Sequence, residues 1–152
     1  MARALPLDLD LFQKQIAVYR NDPSKCKDGE WVDAAFRRDW YETFASKYDL
    51  RKTHTPSSLA ALKLGDVGLL SHGAELYSVY GLTIRRDSPL PQTLVIGYAD
   101  GYVGYVPDPH AYEAKEYAAV AVPKMLNFPP FQPTAGRDLA SAALKLLKKV
   151  SA

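Results

Sequence analysis

Two apolar runs, Leu59–Leu64 and Val67–Ser71, are separated only by the dipeptide Gly65-Asp66. A two-residue connection of that chemistry suits a tight hairpin turn, so it commits the middle of the chain to two antiparallel strands. A third apolar run, Thr93-Leu-Val-Ile-Gly-Tyr-Ala, comes after a segment patterned as a helix from about Glu75 to Arg86 and stopped by Pro89 and Pro91. Strand, helix, strand predicts a crossover that returns parallel to its predecessor. The unbroken apolar run itself reads as a buried strand. The expected class is therefore mixed α/β: a mixed, largely buried sheet with flanking helices and a helical N-terminal extension.

The flanks follow the same reading. Leu11, Phe12, Ile16 and Tyr19 recur at helical spacing, with Asp8 or Asp10 available to cap the N-terminus. A second helix is predicted from about Glu30 to Tyr48, on the four-residue spacing of Val32, Phe36, Trp40 and Phe44. Residues 1–56 thus read as a helical extension ending in a linker, and 57–152 as the α/β part, the two forming one compact unit. Toward the C-terminus, a short helix is expected at Pro109–Lys115, a strand at Tyr117–Val122, and an irregular Pro-rich passage at Lys124–Ala135. A last helix is expected from Gly136 to Val150, with Leu139, Ala143, Leu146 and Val150 on one face.

Charge and cysteine content narrow the function classes. Nineteen Lys+Arg against seventeen Asp+Glu give a net +2 without long runs of either sign, which argues against a dedicated nucleic-acid binder. One cysteine, Cys26, leaves no internal disulfide and no Cys-rich zinc site. The apolar stretches fall short of the ~20 residues of a membrane span, so no transmembrane segment is expected. The first residues lack the apolar core of a signal peptide, which favours the cytoplasm.

The three histidines, His54, His72 and His110, have no metal-ligand spacing, and no Gly-x-Ser-x-Gly elbow, Walker loop or dinucleotide fingerprint occurs. His54 and His110 read as surface residues, whereas His72 ends a strand beside a tight turn. Glu75 follows that turn, where its carboxylate either complements a helix dipole or points across the sheet end at which α/β folds place ligands. The loop after Thr93–Ala99 should reach the same end and bring Tyr102 and Tyr105 near Glu75. Seven of the ten tyrosines lie between Tyr77 and Tyr117, which suits either sheet packing or a site lined by phenols. A carboxylate and a phenol converging at a strand end form a candidate metal or proton-transfer site.

The segments Leu64-Gly-Asp-Val-Gly-Leu-Leu-Ser-His-Gly-Ala-Glu-Leu-Tyr-Ser-Val-Tyr-Gly-Leu and Thr93-Leu-Val-Ile-Gly-Tyr-Ala-Asp-Gly-Tyr-Val-Gly-Tyr-Val-Pro resemble the C-terminal part of the catalytic domain of neutral/alkaline (non-lysosomal) ceramidase-like proteins. The likeness runs from about Ser58 to Val150, and more loosely through the helical connector before it. In that family zinc activates water to hydrolyse an amide. The resemblance implies Glu75 as the carboxylate ligand and Tyr105 as the phenolate ligand, with His72 and Tyr102 as neighbours. Tyr117 matches a tyrosine that could hydrogen-bond the developing oxyanion. His72-Gly-Ala-Glu75 stands where the family has Pro-Gly-Glu, and Asp100 replaces an Asn.

The family's two histidine ligands belong to an N-terminal half without counterpart here. The resemblance therefore implies either a fragment or a reduced relative, inactive as a separate chain. Zinc is expected in the complete enzyme, and substoichiometric zinc or none in this chain alone. Its implied partners are the missing half or a second copy, and its implied substrate is an amide of lipid-like character. An apolar patch left by the missing half is expected around the tyrosine loop and Asn127-Phe-Pro-Pro-Phe. The competing reading is a non-catalytic α/β interaction module, whose tyrosines pack a sheet or a partner.

Overall fold

The computed structural model describes residues 2–26 and 28–152. Four strands form one mixed sheet in the order β1 (Ala2–Pro6), β2 (His54–Leu64), β3 (Val67–His72) and β5 (Gln92–Ile96). As Gly65-Asp66 requires, β2 and β3 are antiparallel with Leu64 opposite Val67, and Gly65 takes the turn with φ +58°. β5 runs parallel to β3, Gly68 facing Thr93 and Leu70 facing Val95. Between them, α3 (Ser78–Asp87) makes the crossover, and β4 (Glu75–Leu76) pairs in parallel with β6 (Tyr105–Val106) at the sheet's end. Helices α4 (Pro109–Glu113), α5 (Tyr117–Val120) and α6 (Val122–Met125) lead to the long α7 (Ala135–Ser151). The chain is thus α/β, a mixed sheet with flanking helices.

α7 covers one face of the sheet. Leu139, Ala143 and Leu147 recur every four residues and are fully buried against Leu59, Leu70 and Val106. Burying each such leucine stabilises the fold by roughly 1.5–3 kcal/mol. The other face has no such cover. β5, expected to be buried, is an edge strand with Leu94 56% and Ile96 44% exposed, so its apolar run reflects one packed face and one open one.

Several local expectations are corrected. β1 pairs with the first half of β2, Ala2 opposite Ser58 and Pro6 opposite His54, so His54–Pro56, expected as linker, is strand. Glu75 lies in β4, and the helix behind it starts at Ser78. Tyr117–Val122, expected as a strand, is helical, because the Ala-rich Tyr117–Val120 turn follows Glu116 in a capping conformation and Pro123 then opens α6. The predicted Glu30–Tyr48 helix begins later, at α2 (Ala34–Asp39), where the Asp33 carboxylate accepts from the Phe36 N–H at 2.8 Å. It continues as a π turn (Trp40–Phe44) and a 3-10 turn (Ala45–Lys47).

That region packs against α1 (Leu9–Asn21), capped by Asp8 as expected. Phe12, Trp40, Tyr41 and Ala45 form a second core, with Phe12 edge-on to Trp40 at 5.7 Å. A buried ion cluster ties it to α6. Asp28 accepts from Arg37 Nε at 2.7 Å and faces Lys124 Nζ at 3.0 Å. Lys124 also donates to the Val120 carbonyl and lies 5.0 Å from the Trp40 ring centroid.

Candidate functional site

The site forms where β3 ends. Beyond His72, the Gly73–Ala74 turn redirects the chain into β4, and the 97–104 loop wraps over it. Backbone hydrogen bonds fix the two together: Ala99 N–H to His72 O, Val103 N–H to Gly73 O and Glu75 N–H to Gly104 O, each 2.9 Å. A side chain at Gly73 would put its Cβ 3.0 Å from the Gly101 carbonyl oxygen, so the close approach of the loop favours glycine here. The loop is conformationally costly, since Tyr98 (φ 58°) and Asp100 (φ 55°) both adopt left-handed backbone. Ser58 Oγ steadies it by donating to the Ala99 carbonyl at 2.7 Å.

The parallel β4–β6 pair puts Glu75 directly opposite Tyr105. Around the Glu75 carboxylate, Tyr98 donates to Oε2 at 2.6 Å and Tyr102 donates to Oε1. The Tyr98 and Tyr102 rings stack nearly parallel at 5.9 Å. Partial burial disfavours the charged carboxylate, but the hydrogen bonds of Tyr102, Tyr98 and Tyr105 outweigh it and hold the Glu75 pKa below its ordinary value. Reciprocally, the bond to Glu75 pushes Tyr98 up to about 12 and raises Tyr102 and Tyr105. Among the described residues no lysine, arginine or histidine forms an ion pair with Glu75.

Each expected residue has a definite place. His72 is buried; its Nδ1 accepts from the Ala74 N–H at 3.3 Å, and burial lowers its pKa, which keeps the ring neutral at pH 7. It lines the same cleft as Glu75, Tyr98 and Tyr105, a volume of about 600 Å³ whose walls continue to Leu82, Arg85 and Leu94. Tyr117, at the start of α5, stands edge-on to Tyr105 at 6.5 Å, one ring removed from Glu75. His54 and His110 are exposed, and His110 faces Glu116 at 4.0 Å.

Two contributors were not anticipated. Tyr98 looked like the end of a strand, but β5 stops at Ile96 and the positive φ turns its phenol onto Glu75; Gly97 and Asp100-Gly101 around it were the available signal. Trp31 packs edge-on to Tyr117 at 5.3 Å and extends the aromatic surface. The expected apolar patch around Asn127-Phe-Pro-Pro-Phe does not form there, since Pro129, Pro130 and Phe131 are buried.

The donor set fits zinc in part. Among the described residues, a carboxylate without a cationic partner and an adjacent phenol are two oxygen donors of a kind zinc accepts, and His72 lies in the same cleft. No three His, Cys, Asp or Glu side chains converge on a metal-sized site among the described residues. No described helix is long and apolar enough to cross a membrane. Compared with protein-family models, with curated proteins and with solved structures, the chain matches none.

Proposed function

We propose that this chain is the C-terminal part of a ceramidase-like, zinc-dependent amidohydrolase, with Glu75 and Tyr105 as metal ligands. The observation that carries the reading is the register of β4 against β6, which sets that carboxylate beside that phenol at the end of the sheet. Bound zinc would lower the pKa of its water to about 7 and so supply hydroxide for attack on an amide carbonyl.

This chain's own residues would prepare that site. Tyr98 and Tyr102 hold the Glu75 carboxylate ionised and in one orientation. Tyr105 keeps its proton while Glu75 alone faces it, so its service as an anionic ligand requires a cation to displace that proton. Tyr117 would donate a hydrogen bond to the oxyanion of the substrate, an amide of lipid-like character. Two oxygen ligands bind zinc weakly, and two imidazoles from a separate N-terminal half would complete the set.

Zinc content and affinity test the reading. Purified alone, the chain should carry substoichiometric zinc and hydrolyse no amide. Mixed with the N-terminal half of an intact ceramidase-like enzyme, it should gain one zinc, lost again in Glu75→Gln. Tight stoichiometric zinc on the isolated chain, unchanged by Glu75→Gln, would falsify the assignment.

A further inference from the structure

A second pocket lies apart from the Glu75 cleft, where the helical extension meets α4 and α5. It holds about 330 Å³, within the range of small-molecule sites. α1 contributes Leu11 and Val18 to its apolar walls, and α5 contributes Ala119 and Val120. Tyr41 and Tyr112 add two aromatic rings to the lining. Two polar groups of that lining have no hydrogen-bond partner among the described residues, the buried Gln15 Oε1 and the Tyr112 hydroxyl. Polar groups in a folded interior are ordinarily paired, so two unpaired ones in one pocket point to a ligand with polar atoms of its own.

Charge selects the class of ligand. Lys14, Lys25 and Lys115 are exposed and stand at the rim of the pocket. Lys14 and Lys115 have no ion-pair partner among the described residues, and Lys25 faces Asp22 at 3.6 Å. Asp28, the carboxylate in the lining, already bonds Arg37 and Lys124, so the rim lysines are left for a ligand. An anion would gain charge-assisted hydrogen bonds there that an uncharged or cationic molecule would not. We propose that this pocket binds a small aromatic anion, an aryl carboxylate or aryl phosphate, with its ring on the apolar walls and its charged group at Lys14 and Lys115. The volume suits one substituted ring and leaves no room for a partner's helix, whose diameter with side chains is about 10–12 Å. Because α1 and α5 both line it, an occupied pocket would also brace the helical extension against the α/β part. The proposal does not rest on the zinc reading, because the pocket shares no lining residue with the Glu75 cleft.

Amide NMR titration of the full chain tests it. Benzoate and phenyl phosphate should shift the signals of Leu11, Gln15, Val18 and Val120 saturably, with a Kd in the millimolar range or below. Benzyl alcohol keeps the ring without the charge, and inorganic phosphate the charge without the ring; each should bind about 10-fold more weakly or not at all. Lys14→Gln combined with Lys115→Gln should weaken both aromatic anions about 10-fold. Val18→Trp, at a position 41% exposed, should fill the pocket and abolish binding, with circular dichroism showing the fold intact. No saturable binding by benzoate or phenyl phosphate overturns the proposal, as does saturation that shifts the signals of the Glu75 cleft instead. Equal affinity for benzyl alcohol and benzoate, or an affinity unchanged in the double lysine variant, overturns it too.

Discussion

Two carboxylates dominate the polar chemistry of this chain, and their surroundings differ in kind. Asp28 is 3% exposed and faces two cations, Arg37 at 2.7 Å and Lys124 at 3.0 Å. Glu75 is half-buried, receives phenol hydrogen bonds and has no ion-pair partner among the described residues. The first arrangement pairs its buried carboxylate with two cations and so ties the helical region to α6. In the second, neutral donors stabilise a negative charge that no cation neutralises, on the wall of a cleft. A cluster that serves the fold compensates its charge, whereas one arranged for a ligand leaves its charge for the ligand to balance.

Breaking the Asp28 cluster should give the largest effect. Lys124→Met removes one of the two cations bonded to Asp28 and leaves Arg37 as its counter-charge, and should destabilise the protein by about 2–3 kcal/mol in denaturant unfolding. Burial already lowers the Lys124 pKa despite the attraction of Asp28, so the cluster adds little net stability over an apolar replacement. Lys124→Met combined with Asp28→Leu should therefore recover part of the loss, Arg37 keeping its bond to the Val32 carbonyl. If the double variant is no more stable than Lys124→Met, that account of the cluster is wrong.

Much of this frame was readable from local signals. The Gly65-Asp66 turn, the parallel return of β5 and the stripe of α7 are each encoded within a few residues of where they act. β1 escaped because Ala2–Pro6 has no alternation of its own and forms only by pairing with His54–Ser58, a polar stretch about fifty positions away that resembles a linker. The same limit hid β4, two residues whose strand character comes entirely from Tyr105 and Val106. At the site, Glu75, Tyr102 and Tyr105 could be brought together by topology, because strand ends converge. Tyr98 could not, since its direction depends on one positive φ. Asp28, Arg37 and Lys124 come from three separate segments, and Lys124 stands in the apolar run Ala118–Leu126 with no local sign of a partner.

The phenols separate the two regions on an alkaline titration. Tyr41, in the helical region, is raised chiefly by burial, as is Tyr112 on α4, whereas Tyr98 and Tyr102 are raised first by the bond to Glu75. All four pKa values lie above the unfolded value near 10. The stabilisation is thus complete below pH 10 and is lost as pH rises toward the folded values, because the unfolded chain releases protons that the folded one retains. Tyr41 and Tyr112, the two raised by burial, should each cost about 1.4 kcal/mol per pH unit above 10 while still protonated. Tyrosinate absorbance should show Tyr41 and Tyr112 ionising only together with unfolding. In Glu75→Gln, Tyr98 and Tyr102 should ionise at lower pH while Tyr41 and Tyr112 are unmoved; a common shift of all four would dissolve the distinction.

The smallest effect on stability should come from removing the open charge itself. In Glu75→Gln the amide oxygen still accepts a phenol hydrogen bond, but one of the two strong acceptors becomes an amide donor, so one phenol must accept from that amide and turn its own hydrogen to solvent. Hydrogen bonds to a charged acceptor contribute about 1.5–3 kcal/mol when buried, and less at a half-exposed position. Against that loss, the variant no longer holds a partly desolvated charge without a counterion. The two changes oppose each other, and the net shift in unfolding free energy should stay within about 1 kcal/mol. The contrast with Lys124→Met is then about twofold or more, although both substitutions remove one charge from a hydrogen-bonded cluster. A loss of 3 kcal/mol or more in Glu75→Gln would mean that the carboxylate holds the 97–104 loop in place as a structural anchor, and its position beside Tyr105 would need no ligand to explain it.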